Sequence, residues 1–395
     1  MKKNKKKIVY IALSGHVIHH GHINLINQAK KYGNVILGLM TDKAIAGHKR
    51  IPILSWEQRK KILSNISGIS KVVPQNEWDY TKNLLKIDPD YMVHGDDWKK
   101  GPDKQLRDNV INLTKKIKCK LIEIPHTKGI SGSNIIDRMS LEVLSPSSRT
   151  SLLKRTLEKK QFLRIIEVHS PLSALIAEKC SVMKNQRMID YDGFWSSSLT
   201  DSTLRGKPDI EVVELNQRLQ SINDIFDVTS KPLIMDVDTG GQPEHFEINV
   251  SSIERTGVSS IIVEDKKGLK KNSLFGTTVK QEQDTIKNFS KKLSLGKKAK
   301  KNNDFMIIAR IESLILGKGL NDAYKRADNY LASGADGVMI HSKDKSPNEI
   351  FKFAKYFKNK FPNVPLVVVP TTFNKVYENE FKNHGIDVVI YANHL

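Results

Sequence analysis

Short apolar runs separated by amphipathic stretches recur along the whole chain. In its first third, runs at 8–13, 35–40, 71–74, 91–94 and 120–124 are rich in Val, Ile and Leu and predict strands. Between them, helical periodicity covers 23–32, 56–66, 78–87 and 103–116. Strand–helix alternation at this spacing predicts a parallel, doubly wound, Rossmann-like α/β sheet with ligands at the carboxyl ends of its strands. The Ser- and Pro-rich stretch 145–150 lacks apolar periodicity and opens an expected linker, 145–159. Eight further runs follow, at 165–169, 193–197, 233–237, 261–264, 306–310, 337–340, 366–369 and 388–391. Eight such units, with helical patterns between most of them, predict a (β/α)8 barrel. The expected domains are therefore 1–144 and 160–395.

Composition narrows the partners. The 395 residues suffice for two domains, and a chain 39% hydrophobic and 27% charged is ordinary globular material. No run of about 18 apolar residues exists, so no membrane span is expected. The lysine-rich start leads into an apolar run too short for a signal peptide, without a small-residue cleavage site. The net charge of +21 is spread along the sequence rather than gathered into a stripe. No helix-turn-helix or RNP-type signature accompanies it, so nucleic acid is not an expected partner, and the charge favours small anionic substrates. Cys119 and Cys180 lie far apart without metal-ligand spacing, which reads as reduced structural thiols in a cytoplasmic protein.

Polar residues cluster where the later runs end. Trp195 and Ser197 follow the second, Asp236 and Asp238 the third, and Glu264 the fourth. Arg310 and Glu312 follow the fifth, His341 the sixth and Asn393 the eighth. In a barrel these ends converge on one mouth. Asp236, Asp238 and Glu264 form an oxygen-ligand set suited to Mg²⁺, whereas Cys/His sets suited to zinc are missing from the sequence; Glu312 also reads as a structural ion pair. The loop 265–274 carries four lysines with Asn272 and Ser273, a cationic, hydrogen-bonding segment suited to a metal-bound, multiply charged anion. Near the N-terminus, His19, Gly21 and His22 open a helix after the first run. Glycine permits close backbone approach, a helix N-terminus favours anions, and imidazoles donate to phosphate oxygens.

The loop after Glu264, with Asp192-Gly193-Phe194-Trp195, Gly206-Lys207-Pro208-Asp209, Asp236-Val237-Asp238, Ala309-Arg310-Ile311-Glu312 and Ile340-His341, resembles the phosphoenolpyruvate mutases of the isocitrate lyase superfamily. The resemblance implies that Asp209, Lys270, Asn272, Ser273, Arg310 and His341 surround a transferring phosphoryl group. Trp195, Ser197 and Leu274 would bind carboxylate and enol, with Mg²⁺ as cofactor. Lyases of the superfamily carry a cysteine in this loop, and this sequence has none there. The implied reaction is isomerisation of phosphoenolpyruvate to phosphonopyruvate. The alternative is a phosphonopyruvate hydrolase barrel joined to a domain that binds CTP without turnover. Family members end in a helix exchanged with a neighbouring subunit, and this sequence has no counterpart after 391. The expectation is a barrel lacking its last helix, with assembly and stability altered, and a homo-oligomer (dimer or tetramer) for a longer form.

The segments 14–22, 41–43, 50–59, 94–98 and 127–133 together resemble the nucleotidylyltransferase superfamily, most closely the glycerol-3-phosphate and phosphoethanolamine cytidylyltransferases. By that resemblance His19 and His22 stabilise charge building on the CTP α-phosphate and departing pyrophosphate. Ser14, Gly21, Arg50, Arg59, Asp96, Thr127, Gly129, Ile130 and Ser131 would contact the nucleotide. His16 stands where the family has Asp, and His126 where it has Arg, which implies weakened CTP binding that Lys128 would offset. The two resemblances imply a bifunctional enzyme of phosphonate biosynthesis that also uses CTP to activate 2-aminoethylphosphonate or 2-hydroxyethylphosphonate.

Overall fold

The structure is a computed structural model that describes residues 6–48, 52, 54–99, 103–127, 145–184, 187–268 and 270–394. The chain divides into two compact units, 1–142 with 181–189, and 143–180 with 190–395. Among the described residues, no helix is long and apolar enough to cross a membrane.

The first unit is built on strands β1 (Ile8–Leu13), β2 (Asn34–Met40), β3 (Ile69–Gln75), β4 (Tyr91–Gly95) and β5 (Lys120–Ile124). All pair in parallel, in the order β3-β2-β1-β4-β5. Central β1 is buried from Val9 to Leu13, which is why it reads as a continuous apolar run rather than an alternating one. Its side chains divide between two cores: Tyr10 and Ala12 face one, Val9, Ile11 and Leu13 the other. Because β1 neighbours both β2 and β4, the chain reverses winding direction there, and ligands of such sheets bind beyond that strand's carboxyl end.

The second unit contains a closed barrel of parallel strands: β6 (Leu163–Glu167), β9 (Gly193–Ser196), β10 (Leu233–Asp236), β11 (Ser260–Glu264), β14 (Met306–Ile311), β15 (Gly337–Ile340), β16 (Leu366–Val368) and β17 (Val388–Tyr391). After β11, β12 (Lys266–Lys267) pairs antiparallel with β13 (Glu282–Gln283), while β7 (Ser181–Lys184) and β8 (Arg187–Asp190) form a two-stranded sheet whose residues through Ile189 group with the first unit. Strand periodicity places Ile234, Ile262 and Ile308 in the interior cluster, while Met235, Ile261, Val263, Ile307 and Ala309 pack in the cluster beneath the helices. Two residues beyond each of those interior isoleucines stand Asp236, Glu264 and Arg310. The alternation that fills the barrel thus delivers three charged side chains to its mouth.

The stretch expected as a linker is helical. Helices Pro146–Thr150 and Leu152–Lys159 occupy it, and Leu153 is buried in the barrel's interior cluster. Ser145 caps the first helix and Pro146 sits in its first turn, so the Ser/Pro chemistry that looked like a linker is a helix-start signal. The short helix Asp42–Ala46, capped by Thr41, was also not expected from periodicity.

Candidate functional sites

In the first unit, a cavity of about 240 Å³ lies at the carboxyl end of the sheet, lined by Ser14, His16, His19, Gly21, His22, Trp78, Tyr80, His94, Asp97, Trp98, Asp103, His126 and Thr127 among others. His19 is the N-cap of helix His20–Ala29, and its Nδ1 accepts from the Gly21 amide at 3.2 Å. The Nδ1 of His22 accepts from the His19 amide at 3.4 Å, and the two rings lie 3.9 Å apart. A Cβ on Gly21 would stand 3.0 Å from the His19 ring, so this glycine gives the imidazole its place. Burial, then the neighbouring His19, pushes His22 down to about 4; burial, then His20, also lowers His19. Both shifts favour the uncharged ring at neutral pH.

The other residues expected to contact a nucleotide separate into groups. Ser14, Gly21 and Thr127 line the cavity, with Thr127 Oγ1 accepting from Asn24 Nδ2 at 3.3 Å. Arg59 does not line it. Its guanidinium is 1% exposed, donates to the Ser14 carbonyl, to Met40 O at 3.0 Å and to Leu54 O at 3.2 Å, and pairs with Asp42 at 2.5 Å. Every side of the fork is engaged with protein, so Arg59 is a brace under the Ser14 turn. Asp96 is likewise a positioning group, accepting the His126 amide at 2.8 Å. Arg50, Gly129, Ile130 and Ser131 lie outside the described residues. The aromatic lining was not singled out from sequence. His94 stacks on Trp98 at 3.6 Å and donates through Nδ1 to the Gly95 carbonyl at 2.8 Å.

At the barrel mouth, a cavity of about 70 Å³ is lined by Trp195, Ser197, Asp209, Asp236, Lys270, Asn272, Ser273, Arg310, His341 and Asn393 among others. The side chain of Leu274 lies outside the description. Arg310 is the hub. Its partner in register on β11 is Glu264, and their side chains meet at 3.5 Å. Its Nε donates to Glu312 at 2.6 Å, while Nη2 donates to Ser273 Oγ at 2.6 Å and lies 3.1 Å from His341 Nδ1. Lys270 ion-pairs with Asp209 at 3.0 Å and with Asp238, and also donates to Ser198. Ser198 in turn donates to Asp236 at 3.2 Å. Behind these, Arg218 pairs with Asp201 at 2.7 Å and donates to the Asp236 carbonyl at 2.6 Å. Ser198 and Asp201 belong to the segment that carries the mutase resemblance, without a role of their own; Arg218 has no signal in the sequence, because a helix interior that supports a site carries no signature of it.

Burial dominates the titration here. It pushes Asp209 up despite Lys270, and Glu264 up to about 7 despite Arg310 and Lys266. It likewise lowers His341, reinforced by Arg310. For Glu312 burial is overcome by Arg310 and then His341, which hold it well below the ordinary range.

The carboxylates expected to hold a metal do not converge into a three-ligand cluster among the described residues. Cations intervene: Lys270 pairs with Asp238, and Arg310 with Glu264 and, at 4.0 Å, with Asp236. The donor set nevertheless fits Mg²⁺. Both Glu264 oxygens are buried and accept no hydrogen bond among the described residues, leaving lone pairs directed at charge alone. Mg²⁺ takes one or two carboxylates and keeps its waters, so a closed cage is not required.

Fold and site together define a barrel enzyme that handles a compact phosphoryl anion, carried on one chain with a doubly wound unit of nucleotide-binding form. The phosphoenolpyruvate phosphomutase family profile matches residues 153–395, and a cytidylyltransferase-like profile matches residues 16–138. The chain belongs to the phosphoenolpyruvate phosphomutase family, with a cytidylyltransferase-like region N-terminal to the barrel. It is 34% identical over 251 residues to the phosphoenolpyruvate phosphomutase of Tetrahymena pyriformis, covering 63% of this chain and 79% of that one. It is also 34% identical over 133 residues to the glycerol-3-phosphate cytidylyltransferase of Bacillus spizizenii, covering 33% and 94%. A phosphonopyruvate hydrolase solved with oxalate and Mg²⁺ aligns with TM-score 0.54 and 31% identity, covering 64% of this chain and 81% of that one.

Proposed function

We propose that the barrel interconverts phosphoenolpyruvate and phosphonopyruvate, and that the first unit transfers the cytidylyl group of CTP to a phosphonate, 2-aminoethylphosphonate or 2-hydroxyethylphosphonate. One observation carries the barrel reading: Asp209, Lys270, Ser273, Arg310 and His341 meet around one small cavity at the mouth. In the reaction the P–O bond of phosphoenolpyruvate breaks, its electron pair remains on the pyruvate enolate, and carbon 3 attacks phosphorus to form the C–P bond. No proton is gained or lost overall. Lys270 and Arg310 balance the phosphoryl charge, and Asp209 faces it as nucleophile or as electrostatic guide. The Trp195 indole N–H, buried with no acceptor among the described residues, suits a substrate carboxylate oxygen. Mg²⁺ held by Asp236, Asp238 and Glu264 would add positive charge at the enolate and phosphoryl oxygens.

In the first unit, neutral His19 and His22 would donate to the α-phosphate as a phosphonate oxygen attacks phosphorus and pyrophosphate leaves. Phosphorus NMR from both acids tests the barrel: a mutase equilibrates them, whereas release of phosphate from phosphonopyruvate without phosphoenolpyruvate would establish the hydrolase reading. Incubation with CTP and each phosphonate tests the first unit, with pyrophosphate release expected. Nucleotide binding without release would establish a binding module.

A further inference from the structure

We infer that Lys266 is the latch that keeps the 265–283 loop seated at the barrel mouth, and so decides whether the phosphoryl group stays on substrate or is lost to water. The inference rests on the mutase reading. Lys266 is 3% exposed and does not line the cavity. All three of its N–H donors are spent on the loop: the Lys271 carbonyl at 2.9 Å, Ser273 Oγ at 3.0 Å and Gln281 Oε1 at 3.0 Å. Its charge is balanced from the barrel side by Glu264 at 3.2 Å and Glu312 at 3.7 Å. The ammonium thus joins both arms of the loop to two strand-end carboxylates. Lifting the loop would strip three hydrogen bonds from a buried cation at once.

The base of the loop is held separately. Lys266 and Lys267 pair with Gln283 and Glu282, and buried Asp265 accepts from Arg326 at 3.0 Å, Tyr330 at 2.8 Å and Gln283 at 2.9 Å. The root is therefore fixed without the Lys266 ammonium, whereas 270–281 is tied down by Lys266 together with the contacts that Lys270 and Ser273 make at the mouth. That segment supplies Lys270 and Ser273 to the site, and Ser273 Oγ also takes Arg310 and donates to Glu312 at 2.7 Å. Lys266 acts through these groups and is a positioning residue. Were the loop to lift, water would bond to phosphorus as the C–P bond breaks. The released electron pair would form the pyruvate enolate, which takes a proton at carbon to give pyruvate beside phosphate.

The test supplies phosphonopyruvate to wild type and Lys266→Met, counts phosphoenolpyruvate against phosphate by phosphorus NMR, and follows amide hydrogen exchange over 267–280. Loss of the latch should raise the phosphate share roughly ten-fold, the scale of one hydrogen bond to a charged group, and speed exchange across the loop. Lys266→Arg should restore part of both. Gln281→Leu, which keeps the buried charges balanced, should shift both in the same direction by less, and decides the matter alone if Lys266→Met does not fold. A lowered Tm with unchanged partition and exchange would make Lys266 merely structural and overturn the latch. A wild type that never interconverts the two acids would instead overturn the mutase reading beneath it.

Discussion

The two cavities are built by opposite means. The barrel site is small, about 70 Å³, and full of fixed charge: Arg310, Lys270 and Lys266 are each paired with carboxylates. The first-unit site is larger, about 240 Å³, and is lined by imidazoles, aromatic rings and a helix N-terminus, with the carboxylates Asp97 and Asp103. A site that confines a short-lived phosphoryl species needs dipoles and charges already in place, since reorganisation during the reaction is slow and costly. A site that admits a whole nucleotide needs room, and backbone amides with uncharged imidazoles provide donors without tight ion pairs to be broken first. The contrast teaches that net charge says little about mechanism. The excess of +21 belongs to the whole chain, while the barrel cations are almost entirely compensated from within.

The largest effect expected on that contrast comes from Asp209→Ala. It removes the acid facing Lys270 and should lower mutase turnover roughly a thousand-fold with the fold retained. Near-normal conversion of phosphonopyruvate would remove Asp209 from the mechanism. Next, His19→Ala combined with His22→Ala should cut CTP-dependent pyrophosphate release by roughly a hundred-fold or more, with barrel rates unchanged. A parallel loss of mutase activity, with circular dichroism preserved, would show that the two sites are not independent.

Arg59→Met sharpens the comparison by asking whether the first unit also contains a buried charge network. Removal takes one donor each from Asp42 and three carbonyls, and should destabilise that unit by about 3 kcal/mol in denaturant titrations. Unchanged stability with weaker CTP binding would return Arg59 to the role of phosphate ligand. The smallest effect concerns pH. Folded His22 titrates near 4, below the unfolded value of about 6.5, so between these limits the unfolded chain binds the extra proton. Stability of the first unit should therefore fall as pH drops from 6.5 toward 4, and His22→Asn should flatten that slope. Equal slopes in the two proteins would mean that His22 is not held neutral.

Both architectures were legible because buried parallel strands need continuous apolar runs and barrel sites sit at strand ends. Asp236, Glu264, Arg310 and His341 stand where that rule puts them. The helices at 146–159 are not legible in the sequence because local Ser/Pro chemistry marks helix starts as well as breaks, and only Leu153 docking in the barrel interior distinguishes them. The contacts of Arg59 are illegible in the sequence for a related reason: a motif specifies an arginine but not the direction its fork takes.

The sequence by itself therefore determined the two folds, the order of elements and most residues at the barrel mouth, because periodicity and strand register are local properties that repeat. Tertiary structure alone decided pairing. It turned Arg59 and Asp96 into braces, placed Lys270 and Arg310 among the expected metal ligands, and gathered Lys271, Ser273 and Gln281 around Lys266. Which charges meet depends on segments far apart in the chain arriving within a few ångströms, and no local pattern encodes that distance.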